Sequence, residues 1–218
     1  MMFKNFLDDF YDILFNYRKG LKRIAEEKNI WHGLIVYLVV TVIVSLATLE
    51  MTPATVNGNI MLPPEIHMVI PPHALEAVWR LIPLFTILLQ VVFGPLYFLL
   101  LVGILHFVSA LFGGNGRASS LGAVMGYAYI PYLMVAVGGL LGRYTSFNIA
   151  AILTLGAFFW SLWLRIAGLK QVNNFSWGRA TLVYFMPLIT LVVAFIIFIL
   201  LVIVFFIPLL LQVWEGFI

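Results

Sequence analysis

ATLVYFMPLITLVVAFIIFILLVIVFFIPLLL, residues 180–211, runs for 32 residues without one charged side chain. Wound as an α-helix at 1.5 Å per residue it is about 48 Å long, whereas the hydrocarbon core of a bilayer is about 30 Å thick. No soluble domain has a use for such a stretch, so it reads as a membrane span that must tilt, kink at Pro187 or Pro208, or protrude.

Four further apolar runs precede it, Trp31–Leu49, Leu81–Phe112, Ser120–Leu141 and Ile149–Ala167. The second is again too long for a straight crossing and carries Pro83 and Pro95. The whole 218-residue chain is 63% hydrophobic and 10% charged, where a soluble domain carries roughly a quarter charged residues. A soluble enzyme is excluded. The fold class expected is all-α: a polytopic membrane protein of five transmembrane helices, residues 30–218, preceded by a cytoplasmic amphipathic helix in residues 1–29. The net charge of +3 is too small and too scattered for a nucleic-acid footprint. The chain has no cysteine, hence no disulfide or thiolate chemistry.

Direction follows from Lys and Arg. With the N-terminus inside, ten basic residues fall on the inner side, and Arg80 and Arg143 alone fall outside, as the positive-inside rule requires. The C-terminus is then external. Trp31, Trp79, Trp177 and Trp214 stand near span ends as interface anchors. The loop from Glu50 to Trp79 contains no Lys or Arg and reads as a small outer cap.

Eleven of the 21 charges lie within Met1–Lys28. Asp8, Asp9 and Asp12 interrupt any apolar run there, so this segment is not a cleaved signal peptide. Its apolar residues Phe3, Phe6, Leu7, Phe10, Leu14, Tyr17, Leu21 and Ile24 follow helical spacing, with Gly20 as the place for an interruption. The reading is an interfacial helix. Phe3, Phe6 and Phe10 would lie in lipid, with Arg18, Lys19, Lys22 and Arg23 on anionic headgroups.

Chemistry has little to stand on. No Asp or Glu lies inside a span, and no Ser/His pair or metal-binding His-Glu-x-x-His run appears. The polar residues at depth are Gln90, His106 and Arg165, the last read as snorkelling from near an inner span end. Outside, Glu65, His67, His73 and Glu76 are too few and too far apart in sequence for a metal site. No catalytic residue, cofactor or metal is expected.

In the third span, Ala118, Gly122, Gly126, Gly138 and Gly142 fall on one four-residue ladder with two G-x-x-x-G patterns. Such small residues let helix backbones approach closely in lipid, within one chain or across a dimer. Pro131 cannot donate to the carbonyl of Tyr127, leaving a weak point beside Gly126.

Gly126-Tyr127-Ala-Tyr-Ile-Pro131 resembles the G-Y-x-x-x-P motif of the Yip-domain family, membrane proteins named for binding the Ypt or Rab class of small GTPases. Tyr17-Arg-Lys-Gly-Leu-Lys-Arg-Ile-Ala-Glu-Glu-Lys before Trp31, Gly113-Gly-Asn-Gly-Arg-Ala-Ser, and Trp163 through Gly168-Leu169 with Ser176 and Ala180 are similar to its prokaryotic branch. The resemblance implies five transmembrane helices, a cytoplasmic N-terminus, and a small GTPase as partner. The family's D-L-Y-G-P motif ahead of the first span is missing, Phe93-Gly-Pro-Leu-Tyr97 being a rearranged echo of it, and no long cytosolic N-terminal region is present. These departures count against the small GTPase and point to a prokaryotic cytoplasmic membrane. The functional expectation is a non-enzymatic, scaffold-like membrane protein that organises lipids or protein partners, with a homo-oligomer or another membrane protein as partner. The competing expectation, from the proline-bearing helices, is an oligomeric small-solute transporter or channel.

Overall fold

The computed structural model describes residues 2–49, 72–142 and 149–215. Every element among them is helical: α1 (Met2–Phe15), α2 (Tyr17–Glu27), α3 (Ile30–Leu49), α4 (Pro72–Leu111), α5 (Ala118–Tyr127), a single 3₁₀ turn (Ile130–Tyr132), α6 (Leu133–Gly142), α7 (Ile149–Asn173) and α8 (Trp177–Glu215). Five stretches are long and apolar enough to cross a bilayer, Ile30–Ala47, Leu84–Leu111, Ala118–Gly139, Ile149–Asn173 and Trp177–Ile207. The outer-cap residues Glu50, Glu65 and His67, together with Arg143, lie outside the described residues, as do the side chains of His73, Trp79 and Glu76.

The spans are not packed evenly along their lengths. Buried residues come from the start of α3 (Leu34, Val36, Tyr37, Val40), the end of α4 (Phe98, Val102, Leu105), α5, chiefly the second half of α7 (Leu164, Ala167, Leu169) and the first turns of α8 (Ala180, Val183). The core therefore sits at one end of the bundle, and α1 and α2 pack onto that same end through Ile13, Leu21 and Ile24. Beyond it the helices expose apolar surface. On α8 every residue from Leu188 to Ile207 is exposed.

The small-residue ladder explains where the core forms. A Cβ added to Gly126 would overlap the backbone of Gly33, and one added to Gly33 would overlap the carbonyl of Gly122. First and third spans thus touch backbone to backbone, the geometry that glycine permits where lipid gives helices no hydrophobic reason to associate. Because Gly33 is only three residues from the start of α3, this contact lies at the hairpin end of the bundle rather than at its middle. Gly138 rests against Ala150 and Leu153 of α7, and Gly142 ends α6.

Prolines behave differently from one another. α4 continues through Pro95 and α8 through Pro187, whereas the third span breaks at Pro131 into α5, the 3₁₀ turn and α6. The break has a partner on α7. With Pro131 lacking an N–H and the Tyr132 N–H donating to Tyr129 (2.9 Å), the Ser161 hydroxyl donates to the Ala128 carbonyl at 2.7 Å. The cross-helix donor therefore reaches Ala128, one residue beyond the Tyr127 carbonyl singled out by sequence. At depth, Gln90 likewise pairs with Ser45 of α3.

The N-terminal segment breaks at Asn16, not at Gly20. Gly20 lies inside α2 and is buried, and a Cβ there would stand 3.0 Å from the Asp12 backbone carbon. It is the glycine that lets α2 fold back against α1.

These contacts predict a ranking. Gly126→Ala should lower stability by about 1–3 kcal/mol or more through overpacking against backbone, read as a lower melting temperature in detergent. Gly156→Ala, whose Cβ meets nothing within 4 Å, should be neutral or stabilise by up to about 1 kcal/mol.

Candidate functional site

Asp9 and Ile13 are four apart on α1, and Asp12 precedes Ile13, so two carboxylates share the helix face that carries a core residue. Folding buries all three: Asp9 is 1% exposed and Asp12 7%. Charges so placed require partners. Arg23, near the end of α2, supplies three contacts: its Nε and Nη2 reach Asp9 Oδ1 at 2.9 and 2.7 Å, and its Nη1 reaches Asp12 Oδ2 at 2.9 Å. Lys28 Nζ lies 3.1 Å from the other Asp9 oxygen. Burial acts to lower the Arg23 pKa, but the hydrogen bond and charges of Asp9 and Asp12 raise it above its usual value.

The cluster stands on the third-span motif. Tyr127 is 2% exposed, and its hydroxyl points at Asp9 Oδ2 across 3.5 Å, a long and weak hydrogen bond. Gly126 is pressed on Gly33 directly beside it, and Pro131 is buried in the turn above. Gly122, Gly126, Tyr127 and Pro131 are thus brought together under the hairpin, while Gly138 and Gly142 lie further along, on α6.

The residues assigned by sequence to lipid divide. Arg18, Lys19 and Lys22 are exposed. Arg23 is held by the two aspartates, and Phe10 is half-buried, packed beside Tyr127 and Ile130. The side chains of Phe3 and Phe6 lie outside the described residues. The apolar stripe that α1 does expose is Leu7, Tyr11 and Phe15, at 53, 61 and 73%, a four-residue repeat on a single face.

A second feature closes the same end of the bundle. The turn after α4 is fixed by the Gly114 N–H donating to Ser109 O (2.8 Å) and by the Gly116 N–H donating to Asn173 Oδ1 (3.2 Å). Gly113 takes φ +76°, where other residues are strained. Lys22, Glu26, Asn115, Arg117, Gln171 and Asn174 line an open polar recess of about 650 Å³ between this turn, α2 and the end of α7.

Arg165 departs from its sequence reading. α7 continues to Asn173, eight residues past it, because Asn173 satisfies the helix end by donating to Leu169 O and accepting from Gly116. The guanidinium lies 4.2 Å from the centroid of the Tyr129 ring, and its Nη1 donates to Tyr184 Oη at 3.3 Å. His106 is half-buried on α4.

No group of three or more His, Cys, Asp or Glu side chains able to hold a metal is found among the described residues. The buried carboxylates are committed to cations, so the arrangement is suited to fixing the hairpin rather than to moving protons.

The model of the Yip1 domain matches residues 11–200, which takes in α2, the first four spans, most of the fifth and the Gly126–Pro131 motif. No curated protein and no solved structure matches the chain.

Removing one charge from the cluster leaves the others buried and unpaired, which typically costs about 3–5 kcal/mol. Asp9→Asn should therefore loosen the hairpin, seen as faster amide hydrogen exchange across residues 7–27 with the spans still protected. Tyr127→Phe, losing only the long bond, should change exchange far less.

Proposed function

The chain belongs to the Yip1 domain family, and from that premise we propose that it is a non-enzymatic integral membrane protein that organises lipids or protein partners at the surface of the α1–α2 hairpin. The observation that carries this reading is the division of the hairpin into two faces. Ile13, Leu21 and Ile24 hold it to the bundle and the Asp9–Arg23 cluster ties its two helices together, while Leu7, Tyr11, Phe15, Arg18, Lys19 and Lys22 face outward. A rigidly held helix pair with an apolar stripe and neighbouring cations suits an anionic membrane surface, where each Lys or Arg contributes about 1 kcal/mol. Ten inner basic residues against two outer ones support a cytoplasmic N-terminus and an external C-terminus, in a prokaryotic cytoplasmic membrane. The hairpin then lies on the cytoplasmic side. A scaffold of this kind needs no catalytic group, and the exposed faces of α4 and α8 leave room for a second copy or another membrane protein.

The cysteine-free chain allows a single environment-sensitive probe at Phe15→Cys. Reconstituted in phosphatidylcholine vesicles containing phosphatidylglycerol, the probe should emit as in an apolar environment. The signal should weaken in 1 M salt, where screening falls to about 3 Å, and in the combined Arg18→Gln, Lys19→Gln, Lys22→Gln variant. Aqueous emission on anionic vesicles would contradict the reading, and reproducible, saturable solute flux from proteoliposomes would replace it with transport.

A further inference from the structure

Lys22 and Glu26 of α2, Asn115 and Arg117 of the turn after α4, and Gln171 and Asn174 at the end of α7 share the polar recess of about 650 Å³, a volume within the ordinary range of ligand sites. Its position does not depend on how deep any single helix sits. The second span ends at Leu111, the third begins at Ala118, the fourth ends at Asn173 and the fifth begins at Trp177, so the recess opens where four spans end together, on the hairpin side.

The groups that line it are unused. Among the described residues neither Lys22 nor Arg117 has a carboxylate within ion-pair distance, and the side chains of Asn115, Gln171 and Asn174 make no hydrogen bond. The walls are nonetheless fixed. Gly116 is pressed against Val172 and donates to Asn173, the Phe175 N–H closes the end of α7 on Lys170 O at 3.1 Å, and α2 is anchored through Leu21 and Ile24. A partner would therefore meet groups already in place, which lowers the ordering cost of binding.

Two free cations against one acid select an anionic partner. Glu26 opposes a bare dianion such as phosphate, whereas each carboxamide offers two N–H donors and an acceptor oxygen, the set that pairs with main-chain amides. Apolar lining is limited to Ala25 and Val172, too little to seat an acyl chain. We propose that the recess binds an extended acidic segment of a cytoplasmic protein, a carboxylate lying on Arg117 and Lys22 and main-chain amides on Asn115, Gln171 and Asn174. This deepens the scaffold reading by naming a class of partner, and it rests on that reading for the cytoplasmic side. Lys22 belongs to both surfaces, so the test turns on Arg117 and Gln171, which the hairpin surface does not use.

The probe is a random nine-residue peptide library, selected on the full chain in phosphatidylcholine nanodiscs against empty nanodiscs. The enriched pool should be rich in Asp and Glu. A peptide made from it should bind Arg117→Gln about tenfold more weakly, the loss of one charge-assisted hydrogen bond, and Gln171→Trp, which fills the recess at constant charge, about tenfold more weakly or worse. Glu26→Gln, removing the opposing charge, should tighten binding about twofold. All three positions are exposed, and effects of opposite sign cannot come from loss of folding. Arg179→Gln, removing an exposed cation that lies over Phe175 outside the recess, should leave binding unchanged. No enrichment, a pool without acidic excess, or an acidic peptide indifferent to Arg117→Gln and Gln171→Trp overturns the proposal. So does displacement of the peptide by inorganic phosphate at constant ionic strength, which would make this a small-anion site. Apolar emission from the Phe15 probe without peptide enrichment defeats this inference alone, and aqueous emission with peptide binding intact defeats the hairpin reading alone.

Discussion

The approach of Gly33 to Gly122 and Gly126 is the constraint on which the remaining packing depends. In lipid, apolar side chains gain nothing by leaving one another's company for the solvent, so helices associate through close fit and satisfied polar groups. Glycine on both sides of the crossing removes the side chains that would hold the first and third spans apart. Once they touch, Tyr127 is carried beneath the hairpin and Val124 against Gly168 of α7. The buried faces of α4, α7 and α8 converge on the same end. Towards the opposite end Gly138 of α6 still rests against Ala150 and Leu153 of α7, but α4 and α8 leave their apolar surfaces to the bilayer.

Charge is distributed with the same economy. Asp9, Asp12, Arg23 and Lys28, whose formal charges cancel, are brought together inside the hairpin. A buried ion cluster of this kind is a poor source of net stability, but it fixes how α1 folds against α2, because any other pairing of the two helices leaves a charge unpaired. The seat of the hairpin on the bundle is set by Ile13, Leu21 and Ile24. Arg165 is held differently, by the Tyr129 ring and the Tyr184 hydroxyl.

Much of this was legible in the sequence. The apolar runs gave five spans because hydrocarbon thickness imposes a minimum length, and the glycine ladder marked the third span as the packing centre. What remained hidden were facts about partners. Nothing in the spacing of α1 distinguished a face aimed at lipid from one aimed at the bundle, so Phe10 was assigned outward while Leu7, Tyr11 and Phe15 hold that position. The signal that was available was Asp9 and Asp12 on the apolar face, balanced by Arg23 and Lys28 on the next helix. Arg165 was read as snorkelling because hydropathy ends the fourth span early, whereas the Asn173–Gly116 and Asn173–Leu169 bonds prolong it. Pro131 was located correctly as a weak point, but which carbonyl would find a donor depended on Ser161, thirty-three residues away.

The central claim is that the first and third spans of one chain meet at these glycines. A Cβ at Gly122 would lie 3.0 Å from that of Ile30, within a few tenths of an ångström of the 3.5–4.5 Å or so that a disulfide spans. In a chain without native cysteine, Ile30→Cys combined with Gly122→Cys isolates that contact. Oxidation in native membranes should give a cross-link inside the monomer, with unchanged size on non-reducing electrophoresis and loss of both free thiols, insensitive to dilution with cysteine-free chain. A dimer-sized band that dilution abolishes, or two thiols that stay reactive, would contradict it.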